Sequence, residues 1–323
     1  MAVEDSIRIF SGSAHPALAE GIADYLQLPL AKCHIDRFAD GEVHFVVGES
    51  VRGKDVYVIQ SLRKPVNDAI MEMLVMLDAL RRSSARSITA VIPYFAYARQ
   101  DRQDRPRTPI SARLMADLLQ AAGVHRVMAM DLHANQITGF FAVPVDHLNA
   151  SAVLLEAMRR VNTEGPESCV VVSPDAGGVE RARRFSSRLG TGLAIIDKRR
   201  SKPNVAEVMH VIGDVAGKDA FLVDDMIDTA GTLCTAAANL KANGARKVFA
   251  FASHGLFSGP ASDRIARSVL EEVVVTNTIP LKAGAKANEK IVQLSVAPLL
   301  AEAIKRVHLK QSVSELFKGK PKA

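Results

Sequence analysis

The stretch "DAFLVDDMIDTAGT", residues 219–232, runs an apolar segment straight into two adjacent carboxylates, Asp224 and Asp225. Asp228 follows, then Thr229, Ala230, Gly231 and Thr232. A short apolar run ended by turn residues, with helix-forming "GTLCTAAANLKANGA" (231–245) behind it, predicts a buried strand, a tight turn and a helix. Strands buried on both faces belong to parallel sheets covered by helices. The turn would present backbone N–H groups and two threonine hydroxyls at a helix N-terminus, which suits a phosphate. Helix capping accounts for Asp228 or Thr229, but not for Asp224 and Asp225 together at a strand end. A carboxylate accepts two vicinal O–H groups, so the acids fit the hydroxyls of a sugar while the turn takes its phosphate.

The same rhythm extends in both directions. Strands are expected at "IRIFSG" (7–12), "DVYVIQS" (55–61), "SITAVIPY" (87–94) and "RVMAMDLH" (126–133). Further strands are expected at "SCVVVSPD" (168–175), "GLAIIDKRR" (192–200), "KVFAFASHG" (247–255) and "EEVVVTNTI" (271–279). Helical spacing lies between them, at 15–26, at 66–85 with Asn67 as its cap, and at 110–123 and 177–190, each of the last two stopped by glycine. Alternation of this kind means α/β architecture: two similar domains, each a mainly parallel sheet flanked by helices. The domains are expected to span 1–149 and 150–323, and "VMAMD" (127–131) beside "AFLVD" (220–224) points to an internal duplication. Ligands bind beyond the carboxyl ends of such strands. Polar residues gather there: Asp131 and His133, Asp175, Asp197 to Arg200, and Asp224 to Asp228. In a strand continuing to His133, Asp131 and His133 share a face.

Composition narrows the partners. The 323 residues carry 41 Lys and Arg against 35 Asp and Glu, a net charge of +6. Trp is absent and aromatics are 5%, too few for the stacking platforms of a nucleic-acid groove. The basic residues of "YARQDRQDRPRTP" and "DKRRSKPN" instead suit a small polyanion such as a nucleotide or sugar phosphate. No apolar run approaches the roughly 18 residues of a membrane span, and the start has no secretory n-region. Three scattered cysteines, Cys33, Cys169 and Cys234, form no pair or metal spacing and predict a reducing, cytoplasmic setting. No G-x-x-x-x-G-K-[ST] or G-x-G-x-x-G pattern points to a P-loop kinase or a dinucleotide enzyme.

The segment at 219–232 resembles the phosphoribosyl-diphosphate motif shared by phosphoribosyltransferases and phosphoribosyl-diphosphate synthetases. Other segments favour the second family. "RFADGE" (37–42), "SVRGKDVYVIQS" (50–61), "AVIPYFAYARQDR" (90–102), "MDLHANQITGFFAVPVDHL" (130–148), "VVSPDAGGVERAR" (171–183), "IIDKRRSKPNVAEVMHVIGDV" (195–215) and "SVSELF" (312–317) resemble ribose-phosphate diphosphokinases, most of all the bacterial phosphate-activated class. The resemblance implies a phosphoribosyltransferase-like fold in both domains. It also implies transfer of the diphosphoryl group of ATP to the 1-hydroxyl of ribose 5-phosphate, with Mg2+ and release of AMP, for nucleotide and amino-acid biosynthesis.

By the same resemblance, ATP is held by Asp40, Gly41, Glu42, Arg99 and Gln100. His133 and Asp175 contact the cation, although Mg2+ prefers oxygen ligands and His133 then acts through water or ATP. Lys198 and Arg200 are the catalytic cations of a closing loop, and Arg200 also reaches the sugar phosphate. Asp224, Asp225, Asp228, Thr229, Ala230, Gly231 and Thr232 hold ribose 5-phosphate. Ser50, Arg52, Arg82, Ser312 and Phe317 match an allosteric site for activating phosphate and inhibiting ADP. A homo-oligomer, a hexamer in the family, is implied because the Asp40–Glu42 segment serves a neighbouring subunit. The chain departs from the family pattern at Ala142, where an acid is frequent, at Thr138, at Gln103 and Asp104, and at Ser253 and Gly255 around His254. A phosphoribosyltransferase and a non-catalytic regulatory homologue are the alternatives. The first would leave Asp40 to Glu42, Arg99 and Lys198 unused, and the second is marked by losses in the ATP and catalytic loops.

Overall fold

Every apolar run expected as a buried strand forms one in the computed structural model, which describes residues 6–199 and 208–317. The chain divides into two units, one made of the chain up to Asn149 together with the stretch from Ser295, the other Ala150–Leu294. The first unit contains β1 (Ile7–Ser11), α1 (Pro16–Leu26), β2 (Cys33–Arg37), β3 (Val43–Val47), β4 (Asp55–Ile59), α2 (Val66–Arg82), β5 (Ser87–Ile92), α3 (Ser111–Ala121), β6 (Arg126–Met130) and β7 (Val145–Leu148). The second contains α4 (Ser151–Val161), β8 (Cys169–Ser173), α5 (Val179–Leu189), β9 (Gly192–Arg199), β10 (Val208–Ile212), β11 (Asp219–Ile227), α6 (Gly231–Ala242), β12 (Lys247–Gly255), α7 (Ala261–Ala266), β13 (Glu272–Thr276), α8 (Ala283–Lys286) and β14 (Ile291–Leu294). A last helix, α9 (Ala297–His308), belongs to the first unit.

The first sheet is parallel throughout, in the order β1-β4-β5-β6-β7. At the other edge of β1, Leu30 forms a parallel bridge to Ile9, after which the chain enters the antiparallel β2–β3 hairpin. The second sheet runs β10-β9-β8-β11-β12-β13-β14 and is parallel except for β10 against β9. The two units thus repeat one topology: a first strand, a neighbour on one side that turns into a hairpin, then a crossover to the other side. In this correspondence β11 matches β4. The likeness of "VMAMD" to "AFLVD" therefore pairs the wrong strands, since β6 corresponds to β13. Near-continuous Val, Ile, Ala and Phe runs such as Val170 to Val172 and Ala220 to Val223 are almost wholly buried, as helix-covered parallel sheets require.

Two expectations need correction. Asn67 does not cap α2, whose N-cap is Pro65; instead the Asn67 Oδ1 accepts a hydrogen bond from the Tyr97 hydroxyl at 2.8 Å. Residues 150–323 are not one continuous domain either, because α9 returns to pack on α1. The face of α9 carrying Leu300, Ala301, Ala303 and Ile304 is buried, and Gly21 permits the close approach: a Cβ there would stand 3.2 Å from that of Ala297. At its far end, the His308 Nδ1 lies 3.0 Å from the Asp55 Oδ2. Asp55 also accepts from Arg86 Nε at 2.9 Å and Ser87 Oγ at 2.7 Å.

Burial opposes the charge on Asp55, yet the hydrogen bonds from Arg86, Ser87 and His308 together hold its carboxyl below its ordinary value. A lowered folded-state value means stability that is present above the ordinary carboxylate pKa and is lost as pH falls through the depressed one. Asp55→Asn is therefore expected to cost about 1–3 kcal/mol in urea unfolding at neutral pH, with the deficit vanishing in acid. A deficit that persists unchanged in acid would contradict this.

Candidate functional site

The strand order of the second sheet reverses between β8 and β11, and the crevice beyond their carboxyl ends is where such a fold takes a ligand. The loop after β8 brings Asp175, and the end of β11 brings Asp224, Asp225 and Asp228. Burial alternates along that end: Asp225 is 2% exposed, whereas Asp224 and Asp228 are only partly covered. Asp224 and Asp225, both expected to meet sugar hydroxyls, thus differ in exposure, the first partly open and the second behind it.

The turn at 228–232 has a definite polarity. Its carbonyls are turned into the protein: Ile227 accepts from Leu256 N at 2.9 Å, Asp228 from Ser258 N at 2.9 Å, and Ala230 from Cys234 N at 3.0 Å. The Thr229 carbonyl accepts from Arg264 Nη1 at 2.9 Å, a clasp supplied by α7. Ala230 sits in the left-handed region at φ 57°, which reverses the chain into α6. Among the described residues no hydrogen bond occupies the N–H groups of Thr229, Ala230, Gly231 and Thr232, and both threonine side chains are exposed. Four donors at a helix N-terminus form a cradle for an anion.

Beside the turn, Arg181 on α5 places Nη1 3.1 Å from Asp224 Oδ1 and 3.4 Å from Asp225 Oδ1. Arg181 was not among the expected site residues. It lies within "GGVERAR" (177–183), where helical spacing alone makes it one more basic residue on an exposed face. Burial of the strand end, then the neighbouring Asp225 carboxylate, push Asp224 up to about 7, against the pull of Arg181. Asp175 is exposed and its Oδ1 accepts from Gly178 N at 2.9 Å.

In the first unit the corresponding crevice, between β1 and β4, is filled by the protein itself. Glu72 accepts from the exposed Ser13, N and Oγ both at 2.6 Å, and from the buried Gln60 Nε2 at 2.7 Å. The expected ATP residues stand elsewhere. Arg99 and Gln100 are exposed in the loop after β5. Ser111 and the Ala112 N–H tie Gln100 to the start of α3, and Gln136 bonds Asp101. β6 ends at Met130 and the chain leaves the sheet at Asp131, φ 39°, so Asp131 and His133 do not share a strand face. Leu132 is buried, its N–H donating to His147 Nε2 at 2.9 Å, and His133 is exposed.

Asp40, Gly41 and Glu42 form the exposed tip of the β2–β3 hairpin. The tip is tied by Phe38 N to Glu42 O and Gly41 N to Phe38 O, each 2.9 Å, with Gly41 at φ 96°. Asp36 accepts from His44 Nδ1 across the strands at 2.8 Å and from His34 Nε2 on its own strand at 2.9 Å, and His44 meets the Phe38 ring at 4.9 Å between centroids. Lys198 lies in β9, paired through its backbone with Met209 of β10, and Arg200 lies outside the described residues.

The expected regulatory residues gather at the opposite, amino ends of the first sheet. Arg52 bridges to Ala85, Gly53 N donates to Ser84 O at 3.1 Å, and Arg82 pairs with Asp78 at 2.6 Å. Ser312 O accepts from Arg306 Nη1 at 2.9 Å on the segment that His308 anchors to Asp55, and Phe317 ends a short 3-10 turn. Ser50 is exposed just before this group. Asp146 pairs with Arg126 at 2.7 Å, a structural contact that explains its presence without a ligand. Among the described residues no three His, Cys, Asp or Glu side chains form a metal-holding group. An exposed carboxylate such as Asp175 fits a cation that arrives with phosphates and keeps its own water, which is the habit of Mg2+. All three cysteines are free thiols, and no helix among the described residues is long and apolar enough to cross a membrane.

Comparison with known proteins places the whole chain beside one family. Residues 7–123 match the N-terminal domain of ribose phosphate pyrophosphokinase, and residues 198–318 match the phosphoribosyl synthetase-associated domain. The ribose-phosphate pyrophosphokinase of Wolinella succinogenes is 54% identical over 96% of this chain and 98% of its own length. That of Bacillus subtilis is 54% identical over 97% and 98%. The crystal structure of the phosphoribosylpyrophosphate synthetase from Mycobacterium smegmatis superposes with a TM-score of 0.89 at 44% identity, covering 94% of this chain and 99% of that one.

The raised value of Asp224 has a consequence for folding. Between the ordinary 3.8 and about 7, the folded chain keeps a proton that the unfolded chain has lost, so this group's contribution to stability falls as pH rises through that window. Asp224→Asn should therefore gain on the wild type in urea unfolding as pH is raised from about 4 to about 7. A difference that stays constant with pH would contradict it.

Proposed function

The chain belongs to the ribose-phosphate pyrophosphokinase family, and from that premise we propose which of its residues serve each substrate. The enzyme transfers the diphosphoryl group of ATP to ribose 5-phosphate, giving phosphoribosyl diphosphate and AMP. Ribose 5-phosphate belongs to the second unit: Asp228, Thr229, Ala230, Gly231 and Thr232 take the 5-phosphate, and Asp224 takes the sugar hydroxyls, with Asp225 behind it. The single observation that carries this assignment is the polarity of the turn, its carbonyls occupied and the N–H groups of residues 229–232 unoccupied among the described residues, next to a partly open carboxylate able to accept from sugar hydroxyls. ATP belongs to Arg99, Gln100 and His133 and to the Asp40–Gly41–Glu42 tip, the last serving a neighbouring copy in a homo-oligomer, a hexamer by family likeness.

In the reaction the 1-hydroxyl oxygen attacks the β-phosphorus, and the bond from that phosphorus to the bridging oxygen of AMP breaks. Little covalent work falls to the protein, which must align the groups and neutralise charge on the phosphate oxygens. Mg2+, when bound at Asp175 and the phosphates, supplies part of that neutralisation. Lys198 and Arg200 supply the rest, Arg200 also reaching the sugar phosphate. The anomeric hydroxyl passes its proton to water as the new bond forms, and no side chain is assigned the role of base. Phosphate is the proposed activator, held by Ser50, Arg52, Arg82, Ser312 and Phe317. What supports this is the gathering of the first three near the anchored C-terminal segment, away from the ligand-bearing strand ends.

Incubation with ATP, ribose 5-phosphate, Mg2+ and phosphate should yield AMP and phosphoribosyl diphosphate in equal amounts. ADP in place of AMP would overturn the reading. Lys198→Ala and Arg200→Ala should each lower kcat by about 100-fold or more while the KM for ATP moves by less than about threefold, as expected of charge stabilisation confined to the transition state. A raised KM with unchanged kcat would make them simple binding residues.

A further inference from the structure

α5 joins two parts of the ribose-phosphate site that are far apart in sequence. It begins directly after the loop that carries Asp175, and it packs on β8, β9 and β11. One turn in, Arg181 reaches across to the end of β11, where a single nitrogen, Nη1, stands 3.1 Å from Asp224 Oδ1 and 3.4 Å from Asp225 Oδ1. Its side chain is 18% exposed, and that of Asp225 3%. Arg181 is thus an interior cation set between two consecutive acids.

We propose that Arg181 is a positioning residue for ribose 5-phosphate, holding the Asp224 carboxyl group oriented before the sugar arrives. Like charges on adjacent residues of a packed strand end raise each other's proton affinity, and a guanidinium shared between them relieves both. The geometry also fixes direction. Asp224 Oδ1 receives Arg181 Nη1 and, at 2.8 Å, the Asp225 backbone N–H, so the carboxylate plane is set by two donors from the protein. A pre-set acceptor avoids the entropy loss of ordering a carboxylate when the ligand binds. Because Arg181 and Asp175 hang on the two sides of one turn into α5, the same helix start spaces the cation contact from the sugar contact.

The inference rests on the assignment of Asp224 to the sugar, and the test separates the two. Steady-state KM values for ribose 5-phosphate and for ATP are measured in the full-length enzyme with Asp224→Ala, Arg181→Met and Arg181→Lys, alongside melting temperatures. Asp224→Ala must raise the KM for ribose 5-phosphate; if it does not, the sugar assignment itself fails. Given that it does, Arg181→Met is expected to raise the same KM roughly tenfold with the KM for ATP changed less than about twofold, and Arg181→Lys to recover part of the loss. In an Asp224→Asn background, Arg181→Met should add less than about twofold, because the group it orients is gone. Equal effects on both KM values, or full additivity with Asp224→Asn, would make Arg181 a merely structural ion pair and overturn the proposal. If Arg181→Met does not fold, the Arg181→Lys split and the same cycle with lysine decide the matter in the same terms.

Discussion

Two carboxylates can stand together at the end of a packed strand only if something shares their charge. The arrangement around β11 answers that requirement. Asp225 is withdrawn behind the strand end, Asp224 stays partly open, and Arg181 touches both. Once the acids are held this way, the next residues are free to form a turn of opposite electrical character. Carbonyls engaged by β12, its following loop, α6 and α7 leave the N–H groups pointing away from those partners. A negative end and a positive end then lie within one short loop, which is what a sugar phosphate presents in reverse.

The first unit has the same topology and a different outcome. Its corresponding strand, β4, is followed by Gln60 and Ser61, and Glu72 stands beside the crevice accepting from Ser13 and Gln60. The unit's exposed polar residues come instead from the loops after β5 and β6 and from the tip of the β2–β3 hairpin. That hairpin holds the same topological place as the β9–β10 hairpin, which leads from Lys198 toward Arg200. The shared topology thus gives each unit a hairpin and a crevice at corresponding places.

Much of this was legible in the sequence, and the rest was hidden for physical reasons. Continuous apolar runs identify the buried parallel strands, and "DDMIDTAGT" identifies the turn, because local chemistry alone restricts both. The return of α9 to the first unit was not legible, since an amphipathic helix does not state which partner covers its apolar face. Pairing of "VMAMD" with "AFLVD" went astray because apolar strands ending in aspartate look alike, whereas strand order distinguishes them. The burial of Asp225 and the reach of Arg181 arise from contacts 44 and 43 residues apart in the chain, beyond any local pattern. Asp131 and His133 illustrate the converse: an alternating pattern predicts a shared face only while the strand lasts, and β6 ends at Met130, before either of them.

The central claim is that the acids and the turn grip opposite ends of one ligand, and calorimetric binding of ribose 5-phosphate and of free ribose measures it directly. Asp224→Ala should weaken both ligands by about the same factor. Thr232→Ala should weaken ribose 5-phosphate but leave free ribose bound as before. If Thr232→Ala weakened free ribose equally, or Asp224→Ala left it untouched, the two ends would not be separate and the account of the site would be wrong.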